Sequence, residues 1–230
     1  MVGMILITLD FLHNTRECIA SLQRTTSYPY VLTVVDNAST DGTCDFLEQN
    51  GIEVIRNPSR VHLSVALNQG LRRQLARPEV DCVCWIHNDM RFYPGWLENL
   101  VREFGSDPRI GKLAPYNILN EGRADEAFAL EFMAAHRGQA RQAYEVPWVM
   151  PRRVVEQVGF YDEGYLACGG YEEWDYNNRI IDAGYLVAVT FGSVVWHETM
   201  GTRRHFQQVA EAHANAQRYL SRWGQLGPRV

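Results

Sequence analysis

Three apolar stretches, each running into a polar residue, constrain the fold of this chain more than any other feature. Met4-Ile5-Leu6-Ile7 ends at Thr8, Val31-Leu32-Thr33-Val34-Val35 ends at Asp36, and Val80 to Ile86 ends at His87-Asn88-Asp89. Helical or turn-rich sequence follows each of them. Continuous apolar runs bounded by turn signals suit strands buried on both faces of a parallel sheet. The carboxyl ends of such strands open onto one edge, and ligands bind in that crevice. Thr8, Asp36 and Asp89 are therefore expected to line one site. Two carboxylates converging there suggest a metal together with a polyhydroxyl or nucleotide ligand.

The 230 residues suit one domain, or one domain with an excursion, and can bury a substantial core. A net charge of −5 lacks the basic stripe that nucleic acid would require. No apolar run is long enough for an integral membrane segment, and the N-terminus lacks a signal pattern. The chain reads as cytoplasmic, with room for peripheral contact at a membrane. Cys82 and Cys84 alternate along one strand as buried thiols. Cys18, Cys44 and Cys168 supply no second pair for zinc, and disulfides are not expected in a reducing compartment.

Asn14 to Leu22 reads as a helix capped by Asn14, with Glu17 three residues on. Asp36 to Thr43 is a dense polar turn, Gly51 to Ile55 a short strand, and Leu63 to Leu75 a helix. This β-α-β-α-β-α-β order predicts an α/β sandwich. Gly122 to Tyr144, poor in apolar side chains, reads as a surface loop or helical excursion. Pro147 to Pro151 returns to a strand, Arg152 to Val158 to a helix, and Tyr185 to Thr190 to a strand. Val194 to His197 lies beyond, and a polar helix runs from about His205 to Trp223.

Asp36, at a strand end, is placed to accept from a base N–H or a ribose hydroxyl, whereas Asp41 fits an Asx turn capping the next helix. Asp89, at the tip of the strongest strand, suits a hard divalent cation that shares oxygen ligands with phosphate. His197 follows an apolar strand and could complete that set. Glu172-Glu173-x-Asp175 gathers three carboxylates behind Gly169-Gly170, flanked by Tyr171 and Trp174. A helix N-terminus favours one or two such charges, and a carboxylate of raised pKa there could serve as general base.

These segments, in this order over about Met4 to Thr202, resemble a family 2 glycosyltransferase of the GT-A fold. Val34 to Thr43 resembles the nucleotide-binding segment. Asn57-Pro58 followed by Ala66-Leu67-Asn68-Gln69-Gly70 resembles the next, with Leu63 where glycine is usual. His87-Asn88-Asp89 takes the place of the Asp-x-Asp motif, His87 replacing its first acid. Gly159-Phe160-Tyr161-Asp162-Glu163 resembles the Gly-Phe-Asp-Glu segment, with Tyr161 as an insertion-like departure. Glu172-Glu173-x-Asp175 with Arg179 looks like the Glu-Asp-x-Asp segment, and Trp196-His197 like the late metal-ligating His. Thr8-Leu9-Asp10 replaces Pro-Thr-Tyr-Asn.

The resemblance implies a three-layer α/β/α sandwich on a mostly parallel central sheet. It assigns residues 1–204 to a GT-A domain and 205–230 to a C-terminal helix on, or extending from, the same domain. It implies transfer from a nucleoside-diphosphate sugar to an acceptor hydroxyl with inversion, in glycan or polysaccharide synthesis, aided by Mn2+ or Mg2+. Asp89 and His197 would hold the metal, and Glu173 would be the base. Thr8, Asp36, Asn37, Asn68 and Asn88 would contact the donor, with Arg203 or Arg204 placed to pair with phosphate. Glu172, Trp148 and Trp174 would face the acceptor, which could be a glycan, a lipid-linked sugar or a small molecule. A homodimer is compatible with this reading. Two rivals stay open. A sugar nucleotidyltransferase would need a Gly-rich basic loop where Thr8 to Leu12 stands. A non-catalytic nucleotide-sugar-binding module would need no base.

Overall fold

A computed structural model describes residues 1–143, 146–166, 170–198, 209–227 and 229. The first half follows the expected alternation. It comprises β1 (Val2–Thr8), α1 (Leu12–Thr25), β2 (Tyr30–Asp36), α2 (Thr43–Gln49), β3 (Glu53–Arg56), α3 (Leu63–Leu75) and β4 (Cys82–His87). There follow β5 (Met90–Phe92), α4 (Trp96–Phe104), β6 (Ile110–Asn117), a 3₁₀ turn (Ile118–Glu121) and α5 (Glu126–Ala135). The remaining elements are β7 (Ala140–Gln142), β8 (Trp148–Pro151), α6 (Arg152–Val158), α7 (Tyr171–Asp182), β9 (Leu186–His197) and α8 (Val209–Trp223).

One mixed sheet runs in the order β3-β2-β1-β4-β8-β6-β9-β5, with β7 also paired to β9. The β3-β2-β1-β4 portion is parallel throughout, and β6 lies parallel to β9, while β8, β5 and β7 add antiparallel pairs. Strand pleating sends successive side chains to opposite faces. Met4 and Leu6 pack with Cys18, Ile19 and Leu22 of α1 and Trp96, Leu97 and Leu100 of α4. Ile5 packs on the other side with Leu67 and Leu71 of α3 and with Tyr176 and Ile180 of α7. Each of these buried apolar side chains contributes about 1.5–3 kcal/mol, so both helical layers are needed to cover the sheet. A Cβ at Gly70 would collide with the Ile5 side chain, so α3 approaches β1 as closely as it does because residue 70 is glycine.

Several details differ from expectation. α1 begins at Leu12, before Asn14, and its cap comes from across the sheet edge: Leu12 N donates to Asp41 Oδ2 at 2.8 Å. The segment around 122–144 holds the helix that one of the two expected alternatives allowed, and in addition the strand β7. β6 was not legible as a strand. It carries a lysine and a proline, and its register against β9 shifts between Pro115 and Tyr116, where the missing N–H is tolerated. α8 packs on α7: Trp223 Nε1 donates to Asp175 Oδ1 at 3.0 Å, and Asn178 Nδ2 donates to Tyr219 Oη at 2.6 Å. The predicted start of this helix, 205–208, lies outside the described residues, as do Cys168, Gly169, Arg203 and Arg204. Among the described residues no helix is long and apolar enough to cross a membrane.

Candidate active site at the carboxyl edge of the sheet

The parallel register sets three site residues along one edge. Thr8 is opposite Asp36, and Ile7 is opposite His87. The backbones of Asp36 and His87 are thus two strand spacings apart with a one-residue offset, roughly 10 Å. Asp36 is buried, with Oδ2 accepting from Thr8 Oγ1 and Oδ1 from Ser39 N, each at 3.0 Å. The loops after β1 and β2 are tied to each other: Asp10 N donates to Ser39 Oγ at 2.8 Å, and Thr40 N to Asp10 Oδ1 at 2.6 Å. Asp10, Phe11 and Ala38 in these loops all have positive φ. Such strain in non-glycine residues persists where surrounding structure enforces it, and it clusters at functional sites.

Asn37 and Asn68 have their side chains occupied by the protein itself. Asn37 exchanges hydrogen bonds with the backbone of Val61, both at 2.9 Å. Asn68 does the same with Tyr161, also at 2.9 Å, so α3 fixes the segment after α6. Asn88 is buried and donates to Thr15 Oγ1 at 3.2 Å. With Asp89 it lines a cleft of about 230 Å3 against the start of α1.

The tight connection between β4 and β5 swings Asp89 back toward His87, and β5 pairs with β9 so that Met90 opposes His197. The backbone of His197 is clamped by Asn117, which accepts from its N–H at 3.2 Å and donates to its C=O at 3.0 Å. The result is a cluster of His87, Asp89 and His197 whose ligand atoms all lie within 4.8 Å of one another. His197 Nε2 is 3.2 Å from His87 Nδ1 and 3.4 Å from Asp89 Oδ1. One ring proton can serve only one of these neighbours. Ligands of a single ion at about 2.1–2.3 Å and right angles sit roughly 3.0–3.3 Å apart, so the spacing and the N₂O donor set fit a divalent cation. Burial pushes the Asp89 carboxyl up. The hydrogen bond from His197 and the charges of His87 and His197 outweigh burial and hold it below the usual carboxylate range.

Gly170, in the left-handed region at φ 93°, starts α7 and brings Glu172 and Glu173 into its first turn. Both are buried. Glu173 Oε2 meets Lys112 Nζ at 2.5 Å, and Oε1 accepts from the Tyr161 hydroxyl. Asp175 braces the helix instead, pairing with Arg179 Nε at 2.9 Å and accepting from Trp223.

The two tryptophans expected on the acceptor side differ. Trp174 is half-buried and packs edge-on against Tyr171 and Tyr219. Trp148 is wholly buried, between Trp85 and Tyr161 and under the Lys112 ammonium, so it forms the floor and presents no face to an acceptor in this structure. An aromatic in a short strand reads alike for floor and surface. Two residues escaped the sequence reading. His87 was seen only as a replacement, because the turn at Asn88-Asp89 that brings Asp89 back beside it is not evident from spacing. Lys112 stands alone in an apolar run, and a lysine so placed calls for a buried carboxylate.

A sequence profile described as Glycosyl transferase family 2 matches residues 5–146, more than half of the chain. The chain belongs to this family. Among solved structures, this glycosyl transferase family 2 chain is similar to a mannosyltransferase from Pyrobaculum calidifontis in complex with GDP-Man and Mn2+. The TM-score is 0.68 at 20% identity, over 94% of this chain and 64% of that one. GalNAc-T7 with UDP, GalNAc and Mn2+ gives a TM-score of 0.72 at 14% identity, over 97% and 48%. Glucosyl-3-phosphoglycerate synthase from Mycobacterium tuberculosis, with Mn2+, UDP and glucosyl-3-phosphoglycerate, gives 0.63 at 19%, over 99% and 81%. At these identities the likeness concerns the fold, and the chain spans less than two thirds of the length of the first two. Comparison with curated proteins gives no significant sequence match.

Proposed function

We propose that the chain transfers a sugar from a nucleoside-diphosphate sugar to an acceptor hydroxyl, inverting the anomeric carbon, with a divalent cation as cofactor. The observation that carries this reading is the His87–Asp89–His197 cluster on the same sheet edge as Asp36. The two strand spacings, roughly 10 Å, between the backbones of Asp36 and His87 leave room for a nucleoside at one end and its diphosphate at the other. The nucleotides and Mn2+ held by the three similar structures support it. His87, Asp89 and His197 would hold the cation, which when bound supplies Lewis-acid stabilisation of the leaving diphosphate.

The chain's own residues would do the rest. Asp36, oriented by Thr8 and Ser39, accepts from the nucleoside. Asn37 and Asn68 brace the loops around the donor, and Asn88 lines its diphosphate end. Glu173 takes the proton of the acceptor hydroxyl while that oxygen bonds to the anomeric carbon and the bond to the diphosphate breaks. A carboxylate offers about four acceptor positions, of which Lys112 and Tyr161 occupy two. Glu172 and Trp174 would flank the acceptor, whose class (glycan, lipid-linked sugar or small molecule) follows from chemistry beyond the donor site. A cytoplasmic enzyme, able to meet a membrane-borne acceptor, suits this reading.

The test is a panel of nucleotide sugars incubated with the protein and Mn2+, following release of nucleoside diphosphate. Turnover that chelation abolishes is the expected result. Binding without turnover for every donor and acceptor tried would favour the non-catalytic module.

A further inference from the structure

Lys112 lies in β6, in the interior of the sheet, with only 1% of its side chain exposed. Lysine is almost never this deep unless paired. Its Nζ is 2.5 Å from Glu173 Oε2, 2.8 Å from Asn177 Oδ1 and 5.0 Å from the centre of the Trp148 ring. The Glu173 side chain is only 3% exposed. A carboxylate that deep with no cation beside it would give up its charge, and a protonated carboxyl cannot act as a base.

The bland alternative is a core ion pair that simply fills space. Such pairs rarely improve stability over apolar residues of the same size, so stability alone is a poor reason for one here. Its position is informative. The aromatic floor connects it to the cation cluster: Trp148 meets Trp85 edge-on with ring centres 6.0 Å apart, and the Trp85 ring centre lies 4.4 Å from that of His87. The other titratable groups facing it, among the described residues, are Tyr161, Tyr176 stacked on Tyr161, and Arg179 over Tyr176, itself paired with Asp175.

We propose that Lys112 is a positioning residue for transfer: its ammonium keeps Glu173 ionised and fixes the carboxylate for the acceptor's proton. This rests on Glu173 as the base. Burial draws the Lys112 ammonium below its ordinary pKa while Glu173 counteracts this, so the two charges depend on each other.

The test uses the full chain with Lys112→Met, Lys112→Arg and Lys112→Met/Glu173→Gln. In Lys112→Met the carboxylate loses its cation, and the acid limb of the kcat profile moves to higher pH. Transfer at neutral pH falls by roughly 10²-fold and recovers as pH is raised, Lys112→Arg restores most of it, and affinity for nucleoside diphosphate with Mn2+ stays that of the wild type. Difference infrared spectra at neutral pH show a protonated-carboxyl band in Lys112→Met that is absent from the double variant. Should Lys112→Met not fold, Lys112→Gln, which keeps a donor but no charge, carries the same measurements. An unmoved acid limb with no such band would overturn the proposal. If the wild type turns over no nucleotide sugar, the transfer reading fails, and the infrared band still decides whether Lys112 holds Glu173 ionised.

Discussion

Nδ1 of His87 lies 3.2 Å from Nε2 of His197, although 110 residues separate them. The contact exists because β4 turns directly into β5, and β5 pairs antiparallel with the end of β9. Asp89 joins them at 3.4 Å from the same Nε2. Two imidazoles and one carboxylate make a softer donor set than paired carboxylates, and imidazole suits transition metals better than Mg2+. Mn2+ is therefore expected to bind more tightly than Mg2+. Losing an orienting partner of a ligand costs 10–100-fold in metal affinity, so His87→Ala and His197→Ala should each cost about 10²-fold or more. Mn2+ titration followed by electron paramagnetic resonance checks this, and wild-type affinity in His87→Ala would return His87 to the aromatic floor.

The same cluster sets a pH dependence. A ligating imidazole must be neutral, and the Asp89 carboxyl is already held low. Mn2+ affinity should therefore fall as pH is lowered and protons compete with the ion for the two imidazoles. A loss centred in the carboxylate range instead would remove both histidines from the set.

Asp36 is expected to act without metal. Its two oxygens are fixed by Thr8 and Ser39, so Asp36→Ala removes an oriented charged acceptor, worth about 1.5–3 kcal/mol or roughly ten- to a hundredfold in affinity. Calorimetry with nucleoside diphosphate in chelator measures it. Loss confined to solutions containing Mn2+ would place Asp36 with the cation instead.

Glu173→Gln should leave donor affinity nearly unchanged while transfer falls by roughly 10²–10⁴-fold. Single-turnover transfer by Glu172→Gln and Asp175→Asn is the control. Near-wild-type transfer by Glu173→Gln with collapse in Glu172→Gln would move the base one residue along α7.

A stability prediction concerns β3, the strand paired with the one that carries Asp36. Glu53 of β3 takes Arg73 and Arg77 of α3 and the Thr33 hydroxyl. Burial alone would raise its pKa, but these partners bring it from 4.5 to about 2. A folded pKa below the unfolded one stabilises above the unfolded value and is lost as pH falls through the folded one. The contribution should thus disappear between about pH 4.5 and 2. It amounts to about 1–2 kcal/mol once solvent screening is discounted. Acid denaturation of Glu53→Gln should show a correspondingly flatter slope over that window.

Much of the first half was legible because its strands are continuous apolar runs that stop at, or just before, the residues of interest, Thr8, Asp36 and Asp89. The second half was harder. β6 contains Lys112 and Pro115, which read against a buried strand until the carboxylate of Glu173 and the register shift at Tyr116 are visible. Trp148 illustrates the limit of composition, since only the pairing of β8 with β4 shows that its ring lies beneath the site. The cap of α1 was misplaced for a similar reason: Asp41 reaches Leu12 across two loops, and no local pattern announces that.

The most direct test of the account is calorimetric titration of nucleoside diphosphates into the wild type and Asp89→Ala, each with and without Mn2+. The account predicts that Mn2+ strengthens binding of at least one nucleoside diphosphate to the wild type. It predicts that Asp89→Ala loses this enhancement while keeping its fold and its metal-free binding. Equal Mn2+-dependent affinity in the two proteins would contradict it.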